Sequence, residues 1–549
     1  MNYKFKHISI LALLALMCFT CSLQAQNEDL RTAAFRGGSV FINDGFSFPV
    51  INDLGHVAFL LEGISTEILF TEGPNGVAEV LREGDPVPGS NGSMTIVGLP
   101  NSITTFSNSG DTVLNLGARS GVTGVGFLLR TSSSSDQEIL VDTSGAVSGL
   151  DGTDITRPSN SGVRLNANGE VAFSSGGSVF SDTGGQGFRV VAEPDQVIDA
   201  AGISELVRLE DVSSFALNDS SQHLLGSDIF GFASGLFIED NGAFSLVAST
   251  LTDVGSGLFI DTFEHATLNN RGDSIFVARL DGNGVTFSNS SAIIGNVGGS
   301  LQILARQGDT VPGTDITIGD LTFSEPALGG GGDTTFTVGG GLFLIDENGT
   351  IEVIAQTGES LPVLSNGEFI TSFIRDPAIN ENGQIAFQAR LGGDGVSFNN
   401  DEAIFATDTD GILQLIARDG DLLDLSDDPT IPDVRQIDQL GFIGSSGDGD
   451  GLASGFNNLG EVAFQARFDR DSIRFNGDGI FVSSLVAEPK AEVLPGDVNR
   501  DGEVDFLDIA AFVSVITLGG DQAEADIDGN SVVDFEDIPL FVQLLVGDT

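Results

Sequence analysis

Two acidic loops near the end of the sequence carry oxygen side chains at the spacing that a calcium ion requires. In the first loop, residues 497–508, oxygen side chains stand at loop positions 1, 3, 5, 9 and 12, and Gly502 at position 6 permits the sharp central turn. Position 7 contributes its backbone carbonyl, and the residue at position 9 binds through water. The predicted ligands are Asp497, Asn499, Asp501, Glu503, Asp505 and Asp508.

The pattern returns in residues 526–537, so the sequence predicts a second calcium ion. The predicted ligands, with Val532 acting through its carbonyl, are Asp526, Asp528, Asn530, Val532, Asp534 and Asp537. Ser531 replaces glycine at position 6, where a left-handed backbone would strain any other residue. We therefore expect the second site to be the weaker one. Both loops end on Asp, which has a shorter side chain than the Glu that closes an EF-hand loop.

Each loop leads into a predicted helix, over residues 506–516 and 535–545. Each helix has one apolar face, formed in the first by Ile509, Phe512, Val513 and Ile516 and in the second by Ile538, Phe541, Leu544 and Leu545. Pro539 lies in the first turn of its helix, where its missing N–H has no helical partner to lose. A segment this small without disulfides needs a bound ion to fold, so calcium here is a folding ligand rather than a catalyst. The alternative is an unstructured acidic tail.

Residues 496–549 resemble a type I dockerin, the module that docks secreted enzymes onto cohesin receptors. The resemblance implies recognition of a cohesin-like or other cell-surface protein through loop positions 10 and 11, which are Phe506-Leu507 and Phe535-Glu536 here.

The first 25 residues are typical of a secretory signal peptide. Lys4 and Lys6 precede an apolar stretch, and Leu23-Gln-Ala25 is a suitable cleavage site. Both cysteines of the chain lie in this segment, so cleavage would leave a protein without thiol chemistry or disulfides. No later apolar run is long enough to span a membrane. We therefore expect a secreted or cell-surface protein.

The formal net charge of −55 limits the classes of partner. So acidic a surface repels phosphate backbones and anionic lipid, which argues against nucleic acid and membrane surfaces. A hydrophobic content of 40% with 40 Phe predicts a packed core, and 73 Gly suit a chain of short strands and turns. The mature chain would contain no Trp and no Tyr.

The body is organised around a repeated motif, N-x-x-G-x-[VI]-A-F. Complete copies begin at Asn52, Asn166, Asn380 and Asn457, and a shorter copy begins at Asn269. Degenerate copies are assigned to Asn108, to Asn218 and to the glycine run 329–332. Asn and Gly suit the positive φ of a tight turn, and the apolar triplet then enters a buried strand. With these copies the body resembles exported bacterial proteins that carry tandem N-x-x-G-x-x-A-F repeats, a family for which the resemblance implies no activity.

A second motif, centred on Gly-Asp, follows the same rhythm out of phase, at Asp85, Asp309 and Asp421. One unit contains about four strands, and units recur roughly every 58 residues. We therefore predict a mainly β fold, a β-propeller of seven or eight four-stranded blades over residues 38–487, with residues 38–50 completing the last blade. Residues 488–495 form a linker to the small α-helical calcium domain of residues 496–549. An open array of β-sheets is the alternative.

Two functions remain open on the sequence alone. The first is a non-catalytic binding or surface protein that presents loops to a glycan or a protein. The second is a secreted carbohydrate-active enzyme, a polysaccharide hydrolase or lyase, which would need a pair of carboxylates. The Gly-Asp carboxylates repeat with the fold and are better explained as turn residues. His56, His223 and His265 share no metal-like spacing, and we expect structural roles for them. We also expect Arg279, Arg390 and Arg467 to pair with nearby carboxylates.

Overall fold

The computed structural model divides the chain after Val486 into two units. It describes residues 30–37, 40–41, 45–63, 67–100, 103, 106–120, 123–142, 162–182, 187–203, 206–229, 233–365, 367–426, 433–447, 449–469, 474–475, 477–487, 509, 512–513, 527, 533 and 537–546. The first unit is a ring of eight β-sheets, an eight-bladed β-propeller. The predicted fold class is thus confirmed for the body, with eight blades rather than seven.

The strands of the first half run in chain order through blades 1 to 4. Strands β1 (Leu30–Arg36) and β2 (Val40–Phe41) come first. Blade 1 contains β3 (Gly45–Phe46), β4 (Val50–Ile51), β5 (Val57–Glu62), β6 (Ile68–Gly73) and β7 (Gly76–Arg82). Blade 2 contains β8 (Thr95–Ile96), β9 (Asp111–Ser120), β10 (Thr123–Ser132) and β11 (Gln137–Asp142). Blade 3 contains β12 (Val163–Leu165), β13 (Val171–Ser175), β14 (Ser178–Ser181) and β15 (Arg189–Ala192). Blade 4 contains β16 (Val197–Ile198), β17 (Ala200–Ala201), β18 (Val207–Leu217), β19 (His223–Ile229), β20 (Ala233–Asp240) and β21 (Ala243–Ser249).

The second half continues the ring in the same order. Blade 5 contains β22 (Asp253–Gly255), β23 (Leu258–Leu268), β24 (Ser274–Gly282), β25 (Ser291–Val297) and β26 (Ser300–Arg306). Blade 6 contains β27 (Ala327–Leu328), β28 (Thr334–Val338), β29 (Gly341–Ile345) and β30 (Ile351–Gln356). Blade 7 contains β31 (Glu368–Phe373), β32 (Ala378–Ile379), β33 (Ile385–Gly393), β34 (Glu402–Thr407) and β35 (Leu413–Arg418). Blade 8 contains β36 (Leu422–Asp424), β37 (Val434–Gly441), β38 (Val462–Phe468) and β40 (Asp478–Ser483), and β39 (Arg474–Phe475) pairs with β2.

The ring is closed by β1, which pairs antiparallel with β40 and forms the outer strand of blade 8. The expectation that residues 38–50 complete the last blade is therefore wrong, because β3 and β4 of that stretch pair with β5 in blade 1. The pairing of β1 with β40 fastens the start of the propeller chain to its last blade.

Phenylalanine pairs fill the interior of the blades. In five blades the Phe of the repeated motif lies directly opposite a Phe of the next strand, and the rings stack with interplanar angles of 15° to 28°. These pairs are Phe59–Phe70, Phe173–Phe180, Phe336–Phe343, Phe387–Phe405 and Phe464–Phe481. Such cross-strand aromatic pairs stabilise a sheet beyond the burial of their area.

The asparagines that open the repeats join neighbouring blades. Asn52 accepts hydrogen bonds from the backbone of its own turn, and its Nδ2 donates 2.9 Å to the carbonyl of Ser107 in the next blade. The same bond to the next blade spans 2.9 to 3.1 Å at six of the eight junctions. The donors are Asn52, Asn166, Asn218, Asn269, Asn380 and Asn457, all buried. We call this set the asparagine ring, and the end of the propeller that it occupies the turn end.

Two junctions lack the amide; one corrects the assignment to Asn108, and the other agrees with the assignment to the glycine run 329–332. Ser107, not Asn108, stands at the start of the second turn, where its hydroxyl accepts from Asp111 N as the Asn side chain does elsewhere. Gly329 stands at the start of the sixth. The positive φ of these turns falls on the fourth residue, such as Gly55 at 77°, and on Ser221 at 63° in the fourth repeat. The Asn is therefore needed for its two-sided hydrogen bonding and not for its backbone conformation.

The Gly-Asp motif behaves as predicted. The carboxylate of Asp85 accepts 2.8 Å from the backbone N–H of Arg82, and that of Asp421 accepts 3.1 Å from that of Arg418. The predicted arginine pairs are confirmed at Arg390, which contacts Asp401 and Glu402, and at Arg467, which lies 3.9 Å from Asp478. These hydrogen bonds and ion pairs lie within the blades and stabilise their turns and strands.

The second unit contains α1 (Asp537–Val546), close to the predicted helix over 535–545. Residues 509 and 512–513 are also helical, where the sequence predicts the first helix. Phe512 and Phe541 are buried and stack with ring centroids 3.9 Å apart. The other described members of the two predicted apolar faces, Ile509, Val513 and Ile538, are 37% to 51% exposed.

Candidate functional site

The axis of the propeller is closed at the turn end by the residues between β37 and β38. We call residues 443–447 and 449–455 the axial loop. Its carbonyls accept hydrogen bonds from the backbones of Ile51 in blade 1, Leu217 in blade 4 and Ile379 in blade 7. Bonds to neighbouring blades and to the blade opposite mean that the loop crosses the axis. It accounts for the interval of 77 residues between Asn380 and Asn457, which exceeds all the others.

Glycines let the axial loop pass between the inner strands. A Cβ at Gly444 would lie 2.0 Å from the carbonyl oxygen of Asp376, and one at Gly447 would lie 2.2 Å from that of Leu328. No side chain fits at such distances. The glycine-rich composition of residues 444–455 is thus a packing requirement.

Asp450 anchors the loop from inside. It is 2% exposed, and its carboxylate accepts from the backbone N–H groups of Gly447 at 3.0 Å and Leu452 at 2.8 Å. Burial raises the pKa of Asp450, and the charge of Arg164 acts in the opposite direction. Arg164 itself donates to the carbonyls of Phe215 and Val163. Its guanidinium therefore links blade 3 to blade 4, and its charge acts on the Asp450 carboxylate of the loop.

Beyond the axial loop lies a cavity of about 830 Å³, which opens at the end of the propeller opposite the asparagine ring. We call this the open end. The turn-end side of the loop leaves only about 80 Å³. The cavity is lined by inner-strand residues and by the axial loop, among them Arg164, Phe215, Phe263, His265, Glu325 and Asp450. A pocket of this size, blind at one end and lined by aromatic and charged groups, is a typical ligand site.

His265 reaches the cavity from a break in β23. The register of β23 against β24 shifts between Glu264 and Thr267, and His265 has a φ of 47°. A β-bulge redirects a side chain, and a left-handed conformation costs a residue other than glycine about 1 kcal/mol or more. The imidazole Nδ1 lies 3.9 Å from Oε1 of Glu325. The prediction of a structural role for His265 rested on the sequence around it, which gives no sign of the bulge.

Asp376 stands behind this pair. It accepts 2.5 Å from the hydroxyl of Thr337 and a further hydrogen bond from the backbone N–H of Glu325. Burial raises the pKa of Asp376, partly offset by the Thr337 hydrogen bond. The arrangement thus places the His265 imidazole and the Glu325 carboxyl group at the cavity, with the buried Asp376 carboxyl group bonded to the backbone of Glu325.

His223 is a different case. It is completely buried in blade 4, at the position that Val57 and Val171 occupy in their repeats, and neither ring nitrogen has a hydrogen-bond partner among the described residues. Burial lowers its pKa to about 3, with a smaller contribution from Arg189. Its burial and lowered pKa favour the neutral ring and are consistent with the structural role that the sequence predicts.

Of the twelve predicted calcium ligands, the structure describes Asp537. Its carboxylate is buried and accepts 2.8 Å from the backbone N–H of Ile527, at position 2 of the same loop. The other eleven lie outside the described residues: Asp497, Asn499, Asp501, Glu503, Asp505, Asp508, Asp526, Asp528, Asn530, Val532 and Asp534. Within the described part of the chain, no three His, Cys, Asp or Glu residues form a group suited to a metal ion. No helix in that part is long and apolar enough to cross a membrane.

Residues 51–494 match a family described as "Family of unknown function (DUF7453)". The chain belongs to this family. The matched residues begin in blade 1 and run past the end of the propeller, so the DUF7453 match covers nearly the whole ring. No curated protein matches the chain.

Solved propeller structures resemble the DUF7453 chain only distantly. A eukaryotic initiation factor has a TM-score of 0.35 at 8% identity, covering 79% of this chain and 97% of its own. An oligogalacturonate lyase in complex with manganese has a TM-score of 0.34 at 10% identity, with coverage of 83% and 98%. The Pyrococcus horikoshii acylaminoacyl peptidase has a TM-score of 0.32 at 10% identity, with coverage of 78% and 58%. Similarities this weak say nothing about activity.

Proposed function

We propose that this DUF7453 protein is a secreted, non-catalytic binding protein whose ligand enters the axial cavity at the open end. The observation that carries the proposal is the blind cavity of about 830 Å³, closed behind by the axial loop. A closed axis suits retention of a ligand rather than passage through the ring. The aromatic walls of Phe215 and Phe263 with polar groups at Arg164 and Glu325 suit a ligand of mixed polarity, such as a glycan.

The remainder of the proposal concerns attachment. The duplicated calcium loops of residues 496–549, through the resemblance to a dockerin, support a calcium-dependent module that holds the propeller to a cohesin-like or other cell-surface protein. The hydrogen bond from Ile527 to the buried Asp537 suits a loop whose last acidic residue folds back onto its start. The signal-like residues 1–25 and the acidic composition suit an extracellular, calcium-containing environment.

Catalysis is a second candidate because of His265. An imidazole held in a strained conformation 3.9 Å from a carboxylate is suited to proton transfer, and strain of this kind concentrates at functional sites. In this version the protein is a secreted polysaccharide hydrolase or lyase. The residues concerned are His265, Glu325 and Asp376.

One experiment separates the two functions. The full chain, with calcium, is titrated by calorimetry with neutral, acidic and amino-sugar oligosaccharides, and each mixture is then analysed by chromatography for new products. The binding proposal predicts heat without products and weaker binding by the cavity variant Phe263→Ala, with the turn-end variant Leu54→Ala as matched control. Product formation that His265→Gln abolishes would contradict it and establish the enzyme.

A further inference from the structure

Three phenylalanines at the open end are held almost fully in solvent. Phe287, Phe323 and Phe398 are 83%, 85% and 84% exposed, whereas the next most exposed phenylalanine in the described part of the chain, Phe259, is 36% exposed. They belong to three consecutive parts of the ring, with Phe287 in blade 5, Phe323 before β27 and Phe398 in blade 7. Single exposed apolar residues need no explanation, but a repeated arrangement does.

Phe287 and Phe398 lie at the tips of two loops with one sequence pattern, G-x-G-V-[ST]-F-x-N. In the first, Asn289 Oδ1 accepts 2.6 Å from Thr286 N, and its Nδ2 donates 3.2 Å to the carbonyl of Gly284. In the second, Asn400 repeats the first of these bonds at 2.6 Å and the second at 3.1 Å. Each amide ties the two sides of its loop together across the Phe.

The Gly-Asp motif supports the same loops from below. Nε of Arg306 donates 2.9 Å to the carbonyl of Asn289, and Nε of Arg418 donates 2.9 Å to that of Asn400. A Cβ at Gly308 would lie 3.2 Å from the carbonyl oxygen of Ser288, and one at Gly420 would lie 2.9 Å from Cβ of Asn400. The Gly-Asp motif thus forms a turn and also packs against the loop that carries the exposed phenylalanine.

Blades 1 and 6 show that this support is specific. In blade 1 the equivalent Arg82 pairs with Glu79 on its own strand instead. In blade 6 the equivalent residue is Gln356, and β28 and β29 are joined by the short turn at Gly339-Gly340. The arginine contacts a loop carbonyl in the two blades that carry an exposed Phe.

Phe323 is fixed by different means. Its neighbours Leu321, Thr322 and Ser324 are at most 7% exposed. Thr322 donates to Asp320 through both its N–H and its hydroxyl, and Leu321 N donates 2.9 Å to the hydroxyl of Ser291, which begins β25 directly after the Phe287 loop. Phe323 therefore projects from a buried anchor at the same end of the propeller.

We propose that these three residues, the phenylalanine platform, bind a neutral polysaccharide chain by stacking on its sugar rings. The proposal rests on the proposed binding function and assigns a surface and a substrate class to it. The rings are separated by polar loops and do not form the contiguous apolar core of a protein interface. Separate, rigid aromatic faces suit a polymer with one ring per repeating unit. Proteins that bind single-stranded nucleic acids stack successive bases on aromatic side chains in the same way.

Charge selects among polymers. The Phe398 loop carries Asp394, Asp281 precedes the Phe287 loop, and the chain has a net charge of −55, so a polyanion is repelled. With Trp absent and the sole tyrosine at Tyr3, phenylalanine is the aromatic residue available for stacking in the propeller. A neutral polymer is not repelled by this charge, and its sugar rings can stack on phenylalanine.

The test is affinity electrophoresis of the full chain, with calcium, in native gels containing hydroxyethyl cellulose or xyloglucan, with alginate as the anionic comparison. We expect retardation by a neutral polymer and none by alginate. Each single change to Ala should weaken binding roughly three- to ten-fold, and the triple variant F287A/F323A/F398A should abolish retardation. Leu54→Ala, an exposed apolar residue at the turn end, is the matched control and should bind as the wild type does.

Two further variants guard against unfolding. The triple change to Trp should retain or increase retardation, and Asn400→Ala should weaken it while leaving Phe398 in place. Equal retardation of the wild type and the triple alanine variant would overturn the platform while leaving the binding function intact. No retardation by either neutral polymer would overturn the platform too, and the calorimetric titration would then decide the cavity separately.

Discussion

The two ends of the propeller differ in how closely the eight repeats resemble one another. At the turn end the repeats agree with one another, six buried asparagines join neighbouring blades, and the axial loop closes the channel. At the open end the repeats differ, with a strained His265, a large cavity and three exposed phenylalanines. In this molecule the positions shared by all the repeats hold the ring together, and the groups that we propose to bind the ligand lie at the end where the blades differ.

The largest effect is expected where the axial loop is tightest. Gly447→Ala places a methyl group 2.2 Å from the carbonyl oxygen of Leu328, so the loop must leave its position. We expect a loss of about 1–3 kcal/mol or more in the free energy of unfolding. Urea denaturation measures it, with Gly117→Ala as the control, because Gly117 also has no left-handed φ and the nearest atom lies 4.0 Å from the new Cβ. Equal losses in both variants would mean that the loop is not packed as described.

A somewhat smaller loss is expected in the asparagine ring. Asn218→Ala removes the 2.9 Å bond to the carbonyl of Asn269 and leaves that buried carbonyl without its donor. A lost buried hydrogen bond of this kind costs about 1–3 kcal/mol. Asn168→Ala, also in a turn and bonded to the carbonyl of Asp219 but exposed, should cost much less. If the two variants unfold at the same urea concentration, the ring does not join the blades.

The sequence predicted much of the turn end and little of the open end. The repeat of Asn, Gly and the apolar triplet gave the blades and their core, because alternation and turn chemistry are local. The partner of Asn52 is a carbonyl in the next repeat, so the ring of hydrogen bonds was not visible. The long interval between Asn380 and Asn457 indicates an insertion in the sequence, but it does not predict that the inserted residues cross the axis of the propeller. The bulge at His265 has no local signal, and the hydrogen bond from Arg306 to the Phe287 loop joins residues that are 17 positions apart in the sequence.

The free energy of unfolding should depend on pH through His223, because other repeats have valine at the same position. Burial depresses its pKa to about 3, so the unfolded chain binds the proton more tightly. The stability due to the neutral ring is therefore complete above the ordinary value near 6.5 and is lost as the pH falls towards 3. His223→Val, the residue at Val57 and Val171, should lose less stability than the wild type between pH 7 and pH 4.5. Parallel pH profiles of the unfolding free energy would contradict this.

The smallest effect on the propeller is expected from calcium. Chelation should unfold residues 496–549, with loss of the helical circular dichroism signal, while the β signal of the ring stays unchanged. Asp497→Ala should weaken calcium binding more than Asp526→Ala, because the second loop has Ser531 in place of glycine. Isothermal titration calorimetry with calcium gives both affinities. A single transition that unfolds both units on chelation would show that calcium also holds the ring.

We propose that the open end of the propeller binds the ligand, whereas the turn end holds the blades together. Hydrogen–deuterium exchange of the full chain, with and without the neutral polysaccharide that retards it most, tests this directly. We predict added protection in residues 284–289, 321–325 and 395–400 and in the cavity strand around His265, with no change at the turns that begin at Asn52, Asn218 and Asn380. Added protection that is confined to those turns, or to those turns and the axial loop, would contradict this proposal.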